Sequence, residues 1–112
     1  MAQQANQPLP NGHLLEEYTI DRQLSLGGFS IVYLATDTAG RQVAIKEYLP
    51  NSLALRTRGD VTPLISAEHL GAFRYGMKCF FEEGRALARL SHPNVIRGLN
   101  FFRAHETVYM VM

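Results

Sequence analysis

The chain has 112 residues, 46% of them hydrophobic, enough for one domain with a modest core. Its 11 basic and 10 acidic residues leave a net charge of +1, which argues against a dedicated nucleic-acid surface or a polybasic membrane patch. The single cysteine, Cys79, excludes an internal disulfide and fits a reducing, cytoplasmic setting. No apolar run reaches the about 18 residues needed to span a membrane, and the polar N-terminus is not a secretory signal.

In chain order, residues 1–13, MAQQANQPLPNGH, are rich in Gln, Asn and Pro and are expected to be disordered, with the domain over 14–112. A first strand is predicted from about Tyr18 to Leu26, with Tyr18, Ile20 and Leu24 facing inward. Gly27-Gly28 breaks it, and Asp37-Thr38-Ala39-Gly40 breaks the next run. Leu24, Leu26, Val32, Leu34, Val43 and Ile45 alternate with the two-residue period of a half-buried strand, so three antiparallel strands are predicted. Lys46 directly follows the apolar Val43-Ala44-Ile45. An ammonium there is costly unless it reaches solvent or faces negative charge in a pocket.

The stretch from Pro50 to Ser66 reads as a surface insertion, with a docking or regulatory element as the alternative. It contains a possible short helix near Ser52–Arg56, a Gly59-Asp60 turn and an extended run from Val61 to Ile65. Ser66 can cap a helix whose first turn holds Glu68. From about Phe73 to Leu90, the residues Phe73, Met77, Phe80, Leu87 and Leu90 recur at helical spacing, with Gly84 on the same stripe. Pro93 ends that helix. His92 is read as a structural residue of the turn, and no His/Cys set has zinc-ligand spacing. Two further strands are predicted, Val95–Phe102 and Thr107–Met112, around Arg103-Ala104-His105-Glu106.

These pieces together resemble the start of a protein kinase domain: a glycine-rich loop in LSLGGFSIV, a V-A-I-K strand ending on Lys46, and an E-xxx-L-xx-L-x-H-P helix carrying Glu83. The match covers about Tyr18 to Met112 and looks most like bacterial Hanks-type serine/threonine kinases. It implies an α+β small lobe, a five-stranded twisted antiparallel sheet with one main helix. The implied activity is transfer of the ATP γ-phosphate to protein hydroxyl groups, with Mg²⁺ bound in the full-length enzyme. By the same resemblance Lys46 binds the α- and β-phosphates and Glu83, rather than Glu82, fixes Lys46. The loop residues Ser25, Leu26, Gly27, Gly28, Phe29 and Ser30 cover the phosphates. Val32 and Ala44 flank the adenine with Leu24 at its edge, Ile96 backs the pocket, and Met112 falls on the gatekeeper position.

The sequence departs from the family pattern at Ser25 and Ser30, where glycines are usual, and at Gly98, where a bulky apolar residue is usual. No H-R-D or D-F-G motif occurs in the 112 residues. The lobe by itself is therefore expected to be inactive and to self-associate through an uncovered cleft face. The alternatives are a pseudokinase or scaffold lobe acting through protein contacts, and a kinase-like phosphotransferase for small molecules.

Overall fold

The computed structural model describes residues 6–88 and 100–112. The described residues form six strands and one helix: β1 Leu14–Leu15, β2 Tyr18–Leu26, β3 Ser30–Thr36, β4 Gln42–Tyr48, α1 Leu70–Ala88, β5 Asn100–Ala104 and β6 Thr107–Val111. All pairings are antiparallel in the order β1-β2-β3-β4-β6-β5. The architecture is α+β as expected, with six strands instead of five. The additional strand, β1, has only two residues, too short to carry a periodic signal. The strand expected over Val95–Phe102 begins at Asn100; Val95 to Leu99 lie outside the described residues.

Register assigns the two faces of the sheet. Val32 pairs with Lys46 and Lys46 with Met110, which pairs with Phe101, so these four project to one side. Ile31, Tyr33, Ile45, Glu47, Tyr109 and Val111 project to the other. The helix covers the Lys46 face. Phe73 and Phe80 pack on the Tyr48 ring at 5.1 and 5.7 Å, and the Tyr48 hydroxyl donates to the Phe73 carbonyl. Gly84 permits the closest approach, since a Cβ there would lie 1.9 Å from the Phe101 ring.

The opposite face is the more deeply buried, which reverses the sequence expectation for β3. Ile31, Tyr33 and Ala35 are fully buried there, whereas Val32 and Leu34 are only half-buried. Two segments cover it. Residues 6–13, expected to be disordered, pack onto it: Leu9 is buried, its amide donates to the Tyr33 hydroxyl, and Gly12 N–H donates to the Ile20 carbonyl. The second is the stretch from Pro50 to Ser66. It is no surface insertion, because Pro50, Ala54, Arg56 and Pro63 are buried. It has a turn over Asn51–Leu53 instead of a short helix, and Leu55 bridges to Leu64. The Gly59 turn is present, with Gly59 at φ 91°.

Arg56 holds these layers together. Its guanidinium forms a bidentate pair with Glu47, Nη1 to Oε2 at 2.8 Å and Nη2 to Oε1 at 2.6 Å. The Tyr33 and Tyr109 hydroxyls donate to the same carboxylate. Arg56 Nε donates to the Gln7 carbonyl, and Asn6 bridges the Arg56 amide and the Ala54 carbonyl. Burial alone would lower the Arg56 pKa, but the hydrogen bonds and charge of Glu47 outweigh it and raise it. Burial, and then the Glu47 charge, raise both tyrosine pKa values. A buried ion pair offsets its desolvation only when its remaining hydrogen-bonding capacity is met, as it is here.

Candidate functional site

The site lies on the Lys46 face, between the β2–β3 turn and α1. The turn is tight: Gly27 N–H donates to the Ser30 carbonyl at 2.9 Å. Its outer edge continues the β3–β4 ladder, since Leu49 N–H donates to the Phe29 carbonyl and Asn51 N–H to the Gly28 carbonyl, each at 2.9 Å. The loop is thereby tied to the start of the 50–66 segment. A Cβ at Gly28 would meet nothing within 4 Å, and one at Gly27 only an ordinary contact. Packing inside the chain does not require glycine there. The space a side chain would fill lies open to a ligand approaching the backbone.

Beneath the loop is a cavity of about 400 Å³ whose walls include Phe29, Ser30, Lys46, Tyr48, Phe80 and Glu83. Lys46 is half-buried, with Nζ over the Phe80 ring at 5.8 Å from its centroid. Lys46 and Glu83 thus line one cavity, and Glu82 does not line it. The two are not joined as an ion pair: among the described residues the pairs are Arg41–Asp37, Arg56–Glu47 and His69–Glu68. Glu83 is exposed on α1. The helix begins at Leu70, and the Ser66 hydroxyl meets the His69 imidazole at 2.8 Å instead of capping a backbone amide.

The remaining expected site residues divide by register. Leu34 pairs with Ala44, and the Met112 amide donates to the Ala44 carbonyl at 2.8 Å, which places Val32, Ala44 and Met112 beside Lys46 on one face. All three are half-buried. Ser25 pairs with Val32 and joins that face, whereas Leu26 pairs with Ile31 and belongs to the other. Leu24, expected inward, is 43% exposed, because the register shifts between Gln23 and Ser25. A bulge of this kind re-aims the side chain that it carries. Phe29 borders the cavity but is 75% exposed, so its ring is not folded over the site. Ile96, Gly98 and His92 lie outside the described residues.

Several wall residues were not singled out in the sequence. Tyr48 was legible in principle, as it stands two positions after Lys46 on the same face of β4. Helical spacing makes Phe80 a core residue, and it does pack on Tyr48, but it also underlies the Lys46 ammonium. Gly76 and Cys79 reach the cavity only because α1 crosses it at this height.

An antiparallel sheet, a glycine turn beside a strand lysine and, among the described residues, one helix bringing a glutamate to the same cavity are the arrangement of a protein-kinase small lobe. Comparisons with known proteins agree. The chain is 29% identical over 99 residues to serine/threonine-protein kinase srk1 of Schizosaccharomyces pombe, covering 88% of this chain and 16% of that protein. It is similar to the solved structure of PpkA-294 in its apo form, at 40% identity and a TM-score of 0.83, covering 93% of this chain and 37% of that one. No family model matches. The chain therefore has the fold of a protein-kinase small lobe and resembles serine/threonine kinases in sequence, spanning well under half of either relative.

Proposed function

We propose that this chain is the ATP-binding small lobe of a bacterial-type serine/threonine protein kinase that acts on protein hydroxyl groups. The observation that carries the reading is Lys46. It is a half-buried lysine on the wall of a cavity of about 400 Å³, with an aromatic ring beside it and, among the described residues, no ion-paired carboxylate, under a turn whose glycines leave room for phosphate. A polyphosphate supplies the anionic partner that such a lysine lacks.

In this assignment Lys46 binds the α- and β-phosphates and Glu83 orients Lys46 once the two come within ion-pair distance. The amides of Gly27, Gly28 and Phe29 cap the γ-phosphate, with the Ser25 and Ser30 hydroxyls as neighbouring donors. Val32 and Ala44 lie against the adenine, Leu24 at its edge, and Met112 and Ile96 toward its back. Mg²⁺, when bound, would supply charge neutralisation at the phosphates; none of the residues assigned here would hold it or act as base for the substrate hydroxyl. By itself the lobe positions nucleotide and transfers nothing.

Lys46→Met tests the reading, because methionine keeps a long apolar stem and removes the charge. In the full-length enzyme, phosphate incorporation into a generic protein substrate falls to background while circular dichroism and melting temperature stay unchanged. Undiminished incorporation would remove Lys46 from the mechanism. A scaffold reading is favoured by Ser25 and Ser30 in the loop and by the separation of Glu83 from Lys46. It predicts that the full-length protein binds Mg²⁺–ATP no better than the Lys46→Met variant.

A further inference from the structure

The segment 6–13 ends at a contact between two imidazoles far apart in sequence. His13 Nε2 lies 3.2 Å from His105 Nε2 in the β5–β6 turn, with ring centroids 5.3 Å apart. Such a bond needs one ring to donate and the other to accept, so at least one imidazole is neutral. Both rings are half-buried. The contact sits where the segment joins the sheet, because the His13 carbonyl accepts from the Ile20 amide and Gly12 N–H donates to the Ile20 carbonyl.

The groups acting on His105 come from every neighbouring element. His13 approaches from the N-terminal segment, and Tyr109 of β6 stands edge-on with its centroid 6.2 Å away. Glu47 of β4 and Arg56 of the 50–66 segment act through charge in opposite senses, and Glu106 follows in the turn itself. Partial burial, and then His13, hold the His105 imidazole below its ordinary value.

We propose that His13 and His105 form a proton-operated clip, closed at neutral pH and opened by acid, which releases the C-terminal end of the 6–13 segment from the β5–β6 turn. One proton leaves the N–H···N bond intact. The second removes the last acceptor and sets two cations a ring's width apart. A histidine with a depressed folded-state pKa contributes stability that is fully present above its unfolded value, about 6.5. That contribution is lost as pH falls from there through the folded value. Two unit charges at 5.3 Å in a water-like dielectric repel enough to shift the closed–open equilibrium by about fourfold. The other end of the segment, held to Arg56 through Asn6 and Gln7, carries no imidazole and stays in place.

Amide hydrogen exchange tests the clip. Protection factors at Gly12 and Ile20, which flank His13, are compared at about pH 7.5 and about pH 5, with Ile45 in the central strand as reference. The expected result is a fall of about fourfold or more at Gly12 and Ile20 relative to Ile45. His13→Gln and His105→Asn each abolish that fall; asparagine suits position 105 because it tolerates the φ of 52° there. No relative fall in the wild type, or an equal fall in both variants, overturns the proposal. An imidazole NMR titration of the wild type needs no variant. A His105 transition displaced below the ordinary histidine range is expected, and an ordinary one overturns the clip.

Discussion

Arg56 is the residue on which the largest single effect on stability is expected. It joins the sheet, the N-terminal segment and the 50–66 segment through one guanidinium, and its side chain is wholly buried with that of Glu47. Arg56→Met keeps the stem but strands the Glu47 carboxylate among two tyrosines. Breaking one half of a buried pair costs about 3–5 kcal/mol. Urea denaturation of the variant is expected to show a loss of that size. Replacing both partners, Arg56→Met with Glu47→Gln, is expected to cost less than the sum of the single changes, because neither charge is then left alone. Additive losses would show that the two side chains act independently.

The packing of α1 turns on glycines rather than on its apolar stripe alone. Gly76 faces the buried Tyr48 hydroxyl, and Gly84 faces Phe101 and Met110. Alanine raises intrinsic helix propensity by about 1 kcal/mol over glycine. At Gly84 the added methyl would sit 1.9 Å from an aromatic carbon, so the ring or the helix must move. Overpacking of this kind costs about 1–3 kcal/mol. Gly84→Ala is therefore expected to lower the melting temperature, whereas Gly71→Ala, with nothing within 4 Å of its Cβ, is expected to raise it slightly. A higher melting temperature for Gly84→Ala would mean that the helix does not approach the sheet this closely. Movement of α1 also bears on the site, since Glu83 sits one position before Gly84 and lines the same cavity as Lys46.

The two faces of the whole molecule are unequally covered. The far face is covered by the N-terminal and 50–66 segments, while the Lys46 side carries exposed Phe29 at the cavity rim and half-buried Val32, Ala44 and Met112. A contiguous apolar patch is unusual on a soluble monomer. We propose that the 112-residue chain self-associates through this face. Light scattering at roughly 100 μM and ten times lower is expected to give a mass above that of the monomer at the higher concentration. Phe29→Ser is expected to weaken the association. Monomeric mass at both concentrations would sink the idea. No helix among the described residues is long and apolar enough to cross a membrane.

That Lys46 and Glu83 line one cavity follows from local spacing that the sequence shows. Strand alternation sets Lys46 beside Val32 and Ala44, and helical spacing sets Glu83 on the cavity wall and Gly84 on the buried stripe. The same local rules predicted β2, β3, β4, β6 and α1, and they gave Gly59 its turn. Only the tertiary structure decided how the far face is covered. Leu9 and Asn6 sit in a stretch whose composition reads as disordered, and Arg56 in one that reads as surface. Each is buried by partners 24 to 50 positions away, Tyr33, Ala54, Arg56 and Asn6, which no local pattern encodes. The outward turn of Leu24 depends on a register shift between two strands. Whether Lys46 and Glu83 form an ion pair depends on how α1 packs on the sheet, and here they do not. Periodicity names the residues that face each other, but long-range packing sets the distance between them.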